Sequence, residues 1–164
     1  MERYIQPFIK ASKHVCKGFL GLEIEEAEIP YFFDKHARQQ KEDDWDISGV
    51  IGLTGDAKGA VVLSMKKEVA FKITDIITGN SHTDLDDDVR DAVGELVNII
   101  TGNAKQGLEN ILRLVVSVPT VIRGSEHTIS WPGSGVHHAL ICVPFKIFEN
   151  DRFILSVTLR AVKE

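Results

Sequence analysis

The chain has 164 residues, of which 43% are hydrophobic and 26% are charged, and its formal net charge is −5. This length suits one domain with a sizeable core and is marginal for two, so we expect residues 1–164 to form a single domain. The composition is ordinary for a soluble globular protein. A negative chain without a basic stripe argues against nucleic-acid binding, because such proteins usually cluster lysine and arginine on one face.

The sequence lacks the features of a membrane or secreted protein. No apolar run approaches the roughly 18 residues that cross a bilayer, and the polar opening MERYIQPFIKASKHV is unlike a signal peptide. Cys16 and Cys142 lie far apart and outside any metal-binding pattern, which favours buried free thiols in a reducing compartment. We therefore expect a cytoplasmic protein that does not bind a membrane.

The first half of the chain mixes helical and strand patterns. Apolar residues at helical spacing predict a helix over 5–18, and Gly18 and Gly21 are expected to end it. Alternating apolar and acidic residues predict a strand over 22–33. The next elements are a polar loop (34–46), a hairpin of two strands (47–55 and 60–65) and a second helix (67–79).

The second half begins with the acidic run Asp84 to Asp88. Carboxylates near a helix N-terminus favour its dipole, so this run predicts the start of a long helix over about 86–111; a metal-binding acidic cluster is the alternative. The remainder predicts strands at 113–123, 137–147 and 153–162, with a loop at 124–136. The fold class expected is α+β: a mostly antiparallel sheet packed against two or three helices.

The long helix has two different faces. Four of its residues, Asp91, Glu95, Asn98 and Gly102, follow the spacing i, i+4, i+7, i+11 and fall within roughly 60° of one another. Residues expected on the opposite, core-facing side are Val89, Val93, Leu96, Ile100, Ala104 and Ile111, while Val97 and Ile99 flank the polar line.

We call Asp91, Glu95, Asn98 and Gly102 the polar stripe. Asparagine and glycine are poor mid-helix residues, glycine costing about 1 kcal/mol relative to alanine. A carboxylate, an amide one turn away and a gap where bulk is missing suggest a face for docking a partner. Two plainer interpretations remain open: an ordinary solvated surface, and a helix that breaks in two at Gly102-Asn103.

The segment from Asp91 to Lys105, DAVGELVNIITGNAK, resembles the Asp-x-x-x-Glu-x-x-Asn signature of the CheC/CheX/FliY family. These are chemotaxis phosphatases that act on the phosphorylated response regulator CheY. Pro119 stands roughly where that family has a proline, and the opening Gln6-Pro7-Phe8-Ile9 and the hairpin before the second helix are also similar. A single motif in a chain of this length is most like CheX, which implies a homodimer built by joining sheets.

The resemblance also implies roles for the stripe. Asn98 would orient the water that attacks the phosphoryl group, and Glu95 would pair with the receiver's lysine. Asp91 and Gly102 would contact the partner, Gly102 by giving clearance. The chain itself would bind no cofactor or metal, because the Mg²⁺ ion would arrive in the phosphorylated receiver domain.

Two other functions are considered as alternatives. The same face would serve a non-catalytic module that binds response regulators or the flagellar switch, although a pure binder does not need the amide. A metal-dependent hydrolase using His127, His137 and His138 is disfavoured, because adjacent residues 137 and 138 point to opposite faces of a strand.

Overall fold

A computed structural model describes residues 2–32, 44–127 and 139–162. The described part contains three α-helices, a π-helical turn and eight strands. The helices are α1 (Glu2–Val15), α2 (Lys67–Thr78) and α3 (Asp87–Leu108), and the π-helical turn Cys16–Leu20 continues α1. The strands are β1 (Glu25–Glu26), β2 (Tyr31–Phe32), β3 (Trp45–Gly55), β4 (Ala57–Met65), β5 (Leu114–Val116), β6 (Thr120–His127), β7 (Ala139–Ile147) and β8 (Asp151–Ala161).

The strands form one antiparallel sheet. Its order is β1-β7-β8-β4-β3-β5, with β2 also paired to β7 and β6 also paired to β3. The long β3–β4 and β7–β8 hairpins supply its centre, joined by nine residue pairs between β4 and β8. The predicted α+β class, an antiparallel sheet packed against helices, is confirmed.

The start of α3 follows from its sequence. Asp86 caps the helix: its side chain accepts a hydrogen bond from the Val89 backbone N–H at 3.0 Å. Asp87 and Asp88 occupy the first turn, where carboxylates interact favourably with the helix dipole. The acidic run therefore starts the helix, as predicted, and α2 likewise ends at Gly79, which adopts a left-handed conformation (φ 73°).

Several predicted boundaries were wrong in the N-terminal half. Residues 22–33 do not form one strand: β1 and β2 have two residues each, and Pro30 lies between them without an N–H to donate. Strand β3 begins at Trp45, inside the predicted loop 34–46, most of which lies outside the described residues. Gly18 does not end the first helix, because the π-helical turn carries it to the left-handed Gly21.

The C-terminal half needs similar corrections. The predicted strand 113–123 is two strands, interrupted at Ser117–Pro119, where the Ser117 Oγ replaces a backbone acceptor for the Gly52 N–H at 2.9 Å. Strand β6 continues to His127, into the predicted loop 124–136. Helix α3 ends at Leu108, so Ile111 lies beyond it and is 41% exposed instead of in the core.

The three helices share one hydrophobic core with the sheet. Helix α3 lies very close to β3: a Cβ built on Gly49 would be only 2.8 Å from Val97 Cγ1. Val97 is consequently fully buried, although the helical wheel placed it beside the polar stripe. Of the six residues predicted to face the core, all except Ile111 are fully buried (Val89, Val93, Leu96, Ile100 and Ala104). None of the helices described here is long and apolar enough to span a bilayer.

Candidate functional site

The polar stripe lies on the outer face of an unbroken helix. Asp91, Glu95 and Asn98 are exposed, and Gly102 is partly exposed. Helix α3 runs through Gly102 without a break, so the interpretation of two shorter helices is wrong. Asn103 Nδ2 donates to the Ile99 carbonyl oxygen at 2.9 Å, which helps to hold this glycine-containing turn in place.

Glu95 and Asn98 differ from the other charged and polar residues near them in their lack of polar contacts within the described part of the chain. Within residues 2–32, 44–127 and 139–162, neither side chain has a hydrogen-bond or ion-pair partner. The backbone beneath them is fixed, because Leu96 and Val97 are fully buried on the opposite side of the same turn. The result is a carboxylate and a neutral amide that project from a rigid support and are available to another molecule.

Asp91 is held differently from the rest of the stripe. Arg90 donates from Nε to an Asp91 carboxylate oxygen at 2.9 Å and from Nη1 to an Asp87 oxygen at 3.1 Å. Arg123 on β6 reaches the same Asp87 oxygen at 3.1 Å, so the network ties the helix to the sheet. The hydrogen bond from Arg90 to Asp91, with the charge of Asp87, raises the pKa of Arg90. This network was not predicted from the sequence, in which Arg90 stands alone among acidic residues.

The two glycines of the site serve different purposes. A Cβ added at Gly94 would lie 3.2 Å from Val121 Cγ2 and 3.9 Å from Pro119 Cβ, so Gly94 permits close packing of α3 on the segment that enters β6. A Cβ added at Gly102 would meet nothing within 4 Å. Gly102 is therefore not required by internal packing. Pro119 lies beside the residue that precedes Glu95.

Other candidate residues are engaged in local structure. His82, Asp86 and Asp88 each bring one possible ligand atom within 4.8 Å of the others. The His82 ring already faces acceptors on both sides, with Nδ1 2.8 Å from Asp75 Oδ1 and Nε2 3.3 Å from Asp88 Oδ2. Asp86 serves as the helix cap. This cluster joins the end of α2 to the start of α3.

The remaining candidates, His127 and the two cysteines, are hydrogen-bonded or buried within the fold. His127 Nε2 lies 2.8 Å from Ser48 Oγ, and Nδ1 lies 2.8 Å from the Gly124 carbonyl oxygen. His137 and His138 lie outside the described residues. Cys16 and Cys142 are both buried and are not joined in a disulfide, as predicted. Burial raises the pKa of the Cys16 thiol to about 12, so it is not a reactive thiolate at neutral pH.

Glu95 and Asn98 thus present a carboxylate and an amide on the exposed face of α3. Comparison with known proteins gives the family. The sequence model described as chemotaxis phosphatase CheX matches residues 47–146, more than half of the chain, and the chain belongs to this family. The CheY-P phosphatase CheX of Thermotoga maritima is 28% identical over 114 residues, covering 68% of this chain and 70% of that protein.

Solved structures agree on the fold. The chemotaxis protein CheX of Desulfovibrio desulfuricans superposes with a TM-score of 0.81 and 28% identity, covering 98% of this chain and 100% of that one. CheX of Borrelia burgdorferi, solved in a complex with CheY, BeF3 and Mg²⁺, superposes with a TM-score of 0.75 and 24% identity, covering 96% of this chain and 97% of that one.

Proposed function

We propose that this protein removes the phosphoryl group from the aspartyl phosphate of a CheY-like receiver domain. Membership of the CheX family supports this activity, as does the name of the Thermotoga relative. The observation that carries the proposal is a pair of exposed side chains, Glu95 and Asn98, which lie one turn apart on a helix fixed by its buried face and have no polar partner among the described residues. The complex of Borrelia CheX with CheY supports a receiver as the partner.

Asn98 would act by positioning water. Its amide can hydrogen-bond a water molecule in line with the phosphorus without gaining or losing a proton. The water oxygen forms a bond to phosphorus while the bond from phosphorus to the aspartyl oxygen breaks, releasing the carboxylate and inorganic phosphate, which takes up the water's proton. A glutamine orients the attacking water in the same way in GTPases.

Glu95 would fix the docking position. A carboxylate beside a phosphoryl group is repelled unless a cation lies between them, and a receiver lysine satisfies this requirement. Asp91, anchored by Arg90, would contact the partner at the edge of the same face. Gly102 would leave room for the approaching surface, because the space above it is open.

The remaining charge stabilisation would come with the substrate. In this proposal the receiver holds Mg²⁺ beside its phosphoryl group, and that ion together with the receiver lysine offsets the charge of the transferring group. This chain would position the water and the receiver and would not supply a metal ion. Chelating the Mg²⁺ is expected to abolish the acceleration although the metal does not bind to this protein.

The test measures loss of phosphate from a phosphorylated CheY-like receiver with and without this protein. We expect acceleration by the wild type and little by Asn98→Ala, which should still bind the receiver. Asn150→Ala, an exposed amide deletion in the turn between β7 and β8, is the matched control and should keep full activity. Binding without acceleration by the wild type would replace the phosphatase with a non-catalytic receiver-binding or flagellar-switch module.

We propose a homodimer in the cytoplasm as the working form. Strand β6 pairs with β3 and has no strand on its other side in the part of the chain that the structure describes, which supports joining of two sheets there. Sedimentation analysis at micromolar concentration, run beside the phosphatase assay, tests this proposal. A fully active monomer would contradict it.

A further inference from the structure

The carboxylates on the N-terminal half of α3 differ in whether they are paired. The four are Asp87, Asp88, Asp91 and Glu95, and all are exposed. Asp88 Oδ2 lies 3.3 Å from Nε2 of the buried His82, and Asp87 and Asp91 accept hydrogen bonds from arginine. Of the four, only Glu95 has no hydrogen-bond or ion-pair partner in the part of the chain that the structure describes.

Arg90 holds Asp91 with two neighbouring nitrogens of its guanidinium. Its Nε and Nη2 each lie 2.9 Å from the same Asp91 oxygen, while its Nη1 donates to Asp87 Oδ1 at 3.1 Å. Arg123 Nη1 donates to that Asp87 oxygen and to the Leu85 carbonyl oxygen, both at 3.1 Å. The Arg90 guanidinium is therefore held by two carboxylates, one of which is also bonded to an arginine of the sheet.

This network decides which charge the polar stripe presents to a partner. Arg90 and Arg123 bring two positive charges into contact with the two carboxylates of Asp87 and Asp91. Opposite charges in contact largely cancel each other's field at the distances from which a partner approaches. Glu95 therefore carries the net negative charge of the stripe.

Without Arg90, Asp91 would compete with Glu95 for the same receiver lysine. The two carboxylates are four residues apart on one face of α3, so a partner that reaches one can reach the other. At 1.5 Å rise per residue, pairing with Asp91 instead of Glu95 moves the receiver about 6 Å along the helix. Because a misplacement of about 1 Å can cost a hundredfold in rate, a receiver in that position would not be hydrolysed.

We propose that Arg90 sets the docking position of the receiver by pairing with Asp91, which leaves Glu95 as the one carboxylate of the polar stripe open to the receiver lysine. This inference rests on the proposed function and adds a residue that acts through another. Arg90 is a positioning residue: it prevents a second, unproductive mode of docking and does not touch the reacting atoms. Asp87, itself bonded to Arg123, holds the guanidinium in place.

The first test is steady-state hydrolysis of phosphorylated receiver by the full chain with Arg90→Gln. This substitution frees Asp91, so the receiver binds in two positions, of which one is productive. If both carboxylates attract the lysine equally, kcat and KM should each fall about twofold while kcat/KM stays nearly constant, because productive docking itself is unchanged. A network that serves only to stabilise the helix would lower the urea midpoint and leave both kinetic constants unchanged.

The second test separates binding from hydrolysis. Glu95→Gln removes the carboxylate that the lysine uses in productive docking. Adding Arg90→Gln to Glu95→Gln should recover much of the lost affinity for the phosphorylated receiver, since Asp91 becomes available, but should not raise kcat, since the receiver then lies in the wrong position. In the Asp91→Asn background, Arg90→Gln should have no further effect on kcat or KM, because it frees no carboxylate.

The matched control is Arg152→Gln, which removes another exposed arginine bonded to a carboxylate, that of Glu28, at 3.1 Å. Its kcat and KM should equal those of the wild type. If Arg90→Gln behaves like this control, or if its effect persists in the Asp91→Asn background, the docking-position proposal is overturned while the phosphatase activity stands.

The two proposals fail in different ways. Binding without hydrolysis by the wild type would overturn the phosphatase, and the dissociation constants of Glu95→Gln with and without Arg90→Gln would then decide on the docking position: tighter binding by the double variant supports it, and equal binding overturns it. No binding of the receiver by the wild type would overturn both.

Discussion

The inner and outer faces of α3 differ in the contacts that they make with the rest of the chain. On the inner face, Leu96 and Val97 are fully buried, and Gly49 and Gly94 bring the backbone of the sheet close to the helix. On the outer face, Glu95 and Asn98 have no partner within the described chain. The inner face fixes the helix, and the outer face leaves the Glu95 and Asn98 side chains exposed.

The difference implies that stability and activity can be changed separately. Substitutions on the inner face should alter the free energy of unfolding, because they disturb a close-packed core. Substitutions of Glu95 and Asn98 should alter binding or hydrolysis while leaving unfolding nearly unchanged, because neither side chain has a hydrogen-bond or ion-pair partner among the described residues.

Leu96→Ala is expected to lower the free energy of unfolding by about 2–5 kcal/mol, because it leaves a cavity in a fully buried site. Urea unfolding followed by circular dichroism measures the loss. The folded fraction of the variant should keep its phosphatase activity. A variant that unfolds like the wild type would show that the inner face is loosely packed.

Glu95→Lys is expected to weaken binding of the phosphorylated receiver about tenfold or more, equivalent to about 1.4 kcal/mol, through repulsion of the receiver lysine. Glu95→Gln, which removes the charge without reversing it, should fall between the wild type and Glu95→Lys. Titration calorimetry gives both affinities, and the urea midpoint should stay constant. An unchanged affinity for Glu95→Lys would rule out the lysine pairing.

Gly102→Ala should raise stability and lower phosphatase activity. The substitution is expected to stabilise the helix by about 1 kcal/mol, because alanine is the better helix former and its Cβ meets no neighbouring atom. Phosphatase activity should fall if the partner approaches closely above this position. Gains in both stability and activity would show that Gly102 provides no clearance for the receiver.

The N-terminal end of α3 should be anchored in a pH-dependent way. A hydrogen bond to Asp75, supported by Asp88 and the charge of Asp86, raises the pKa of His82 in the folded protein. The stabilisation is therefore complete below the unfolded pKa of about 6.5 and is lost as the pH rises through the higher folded value. The thermal midpoint of wild type minus that of His82→Gln should decrease over this range, and a constant difference would contradict the linkage.

The sequence predicted α3 well because its signals are local. An aspartate cap, an acidic first turn and a regular apolar period act within a few residues of one another, so they can be recognised without the rest of the fold. The exposure of Asp91, Glu95 and Asn98 followed from the same period. The assignment of Glu95 and Asn98 to particular roles came from the family resemblance and stays a prediction.

Features that depend on contacts between residues far apart in the sequence were predicted less well. The interruption at Ser117–Pro119 depends on Gly52, from another strand, and the burial of Val97 depends on the small residue at Gly49. In both cases the deciding contact lies far away in the sequence.

The central claim is that Asn98 contributes to hydrolysis and not to folding or docking. The most direct measurement is kcat for Asn98→Ala at saturating phosphorylated receiver, with the urea midpoint taken on the same preparation. We predict a kcat lower by roughly a hundredfold or more, with KM and the midpoint close to the wild type. A variant that turns over at the wild-type rate would contradict the claim.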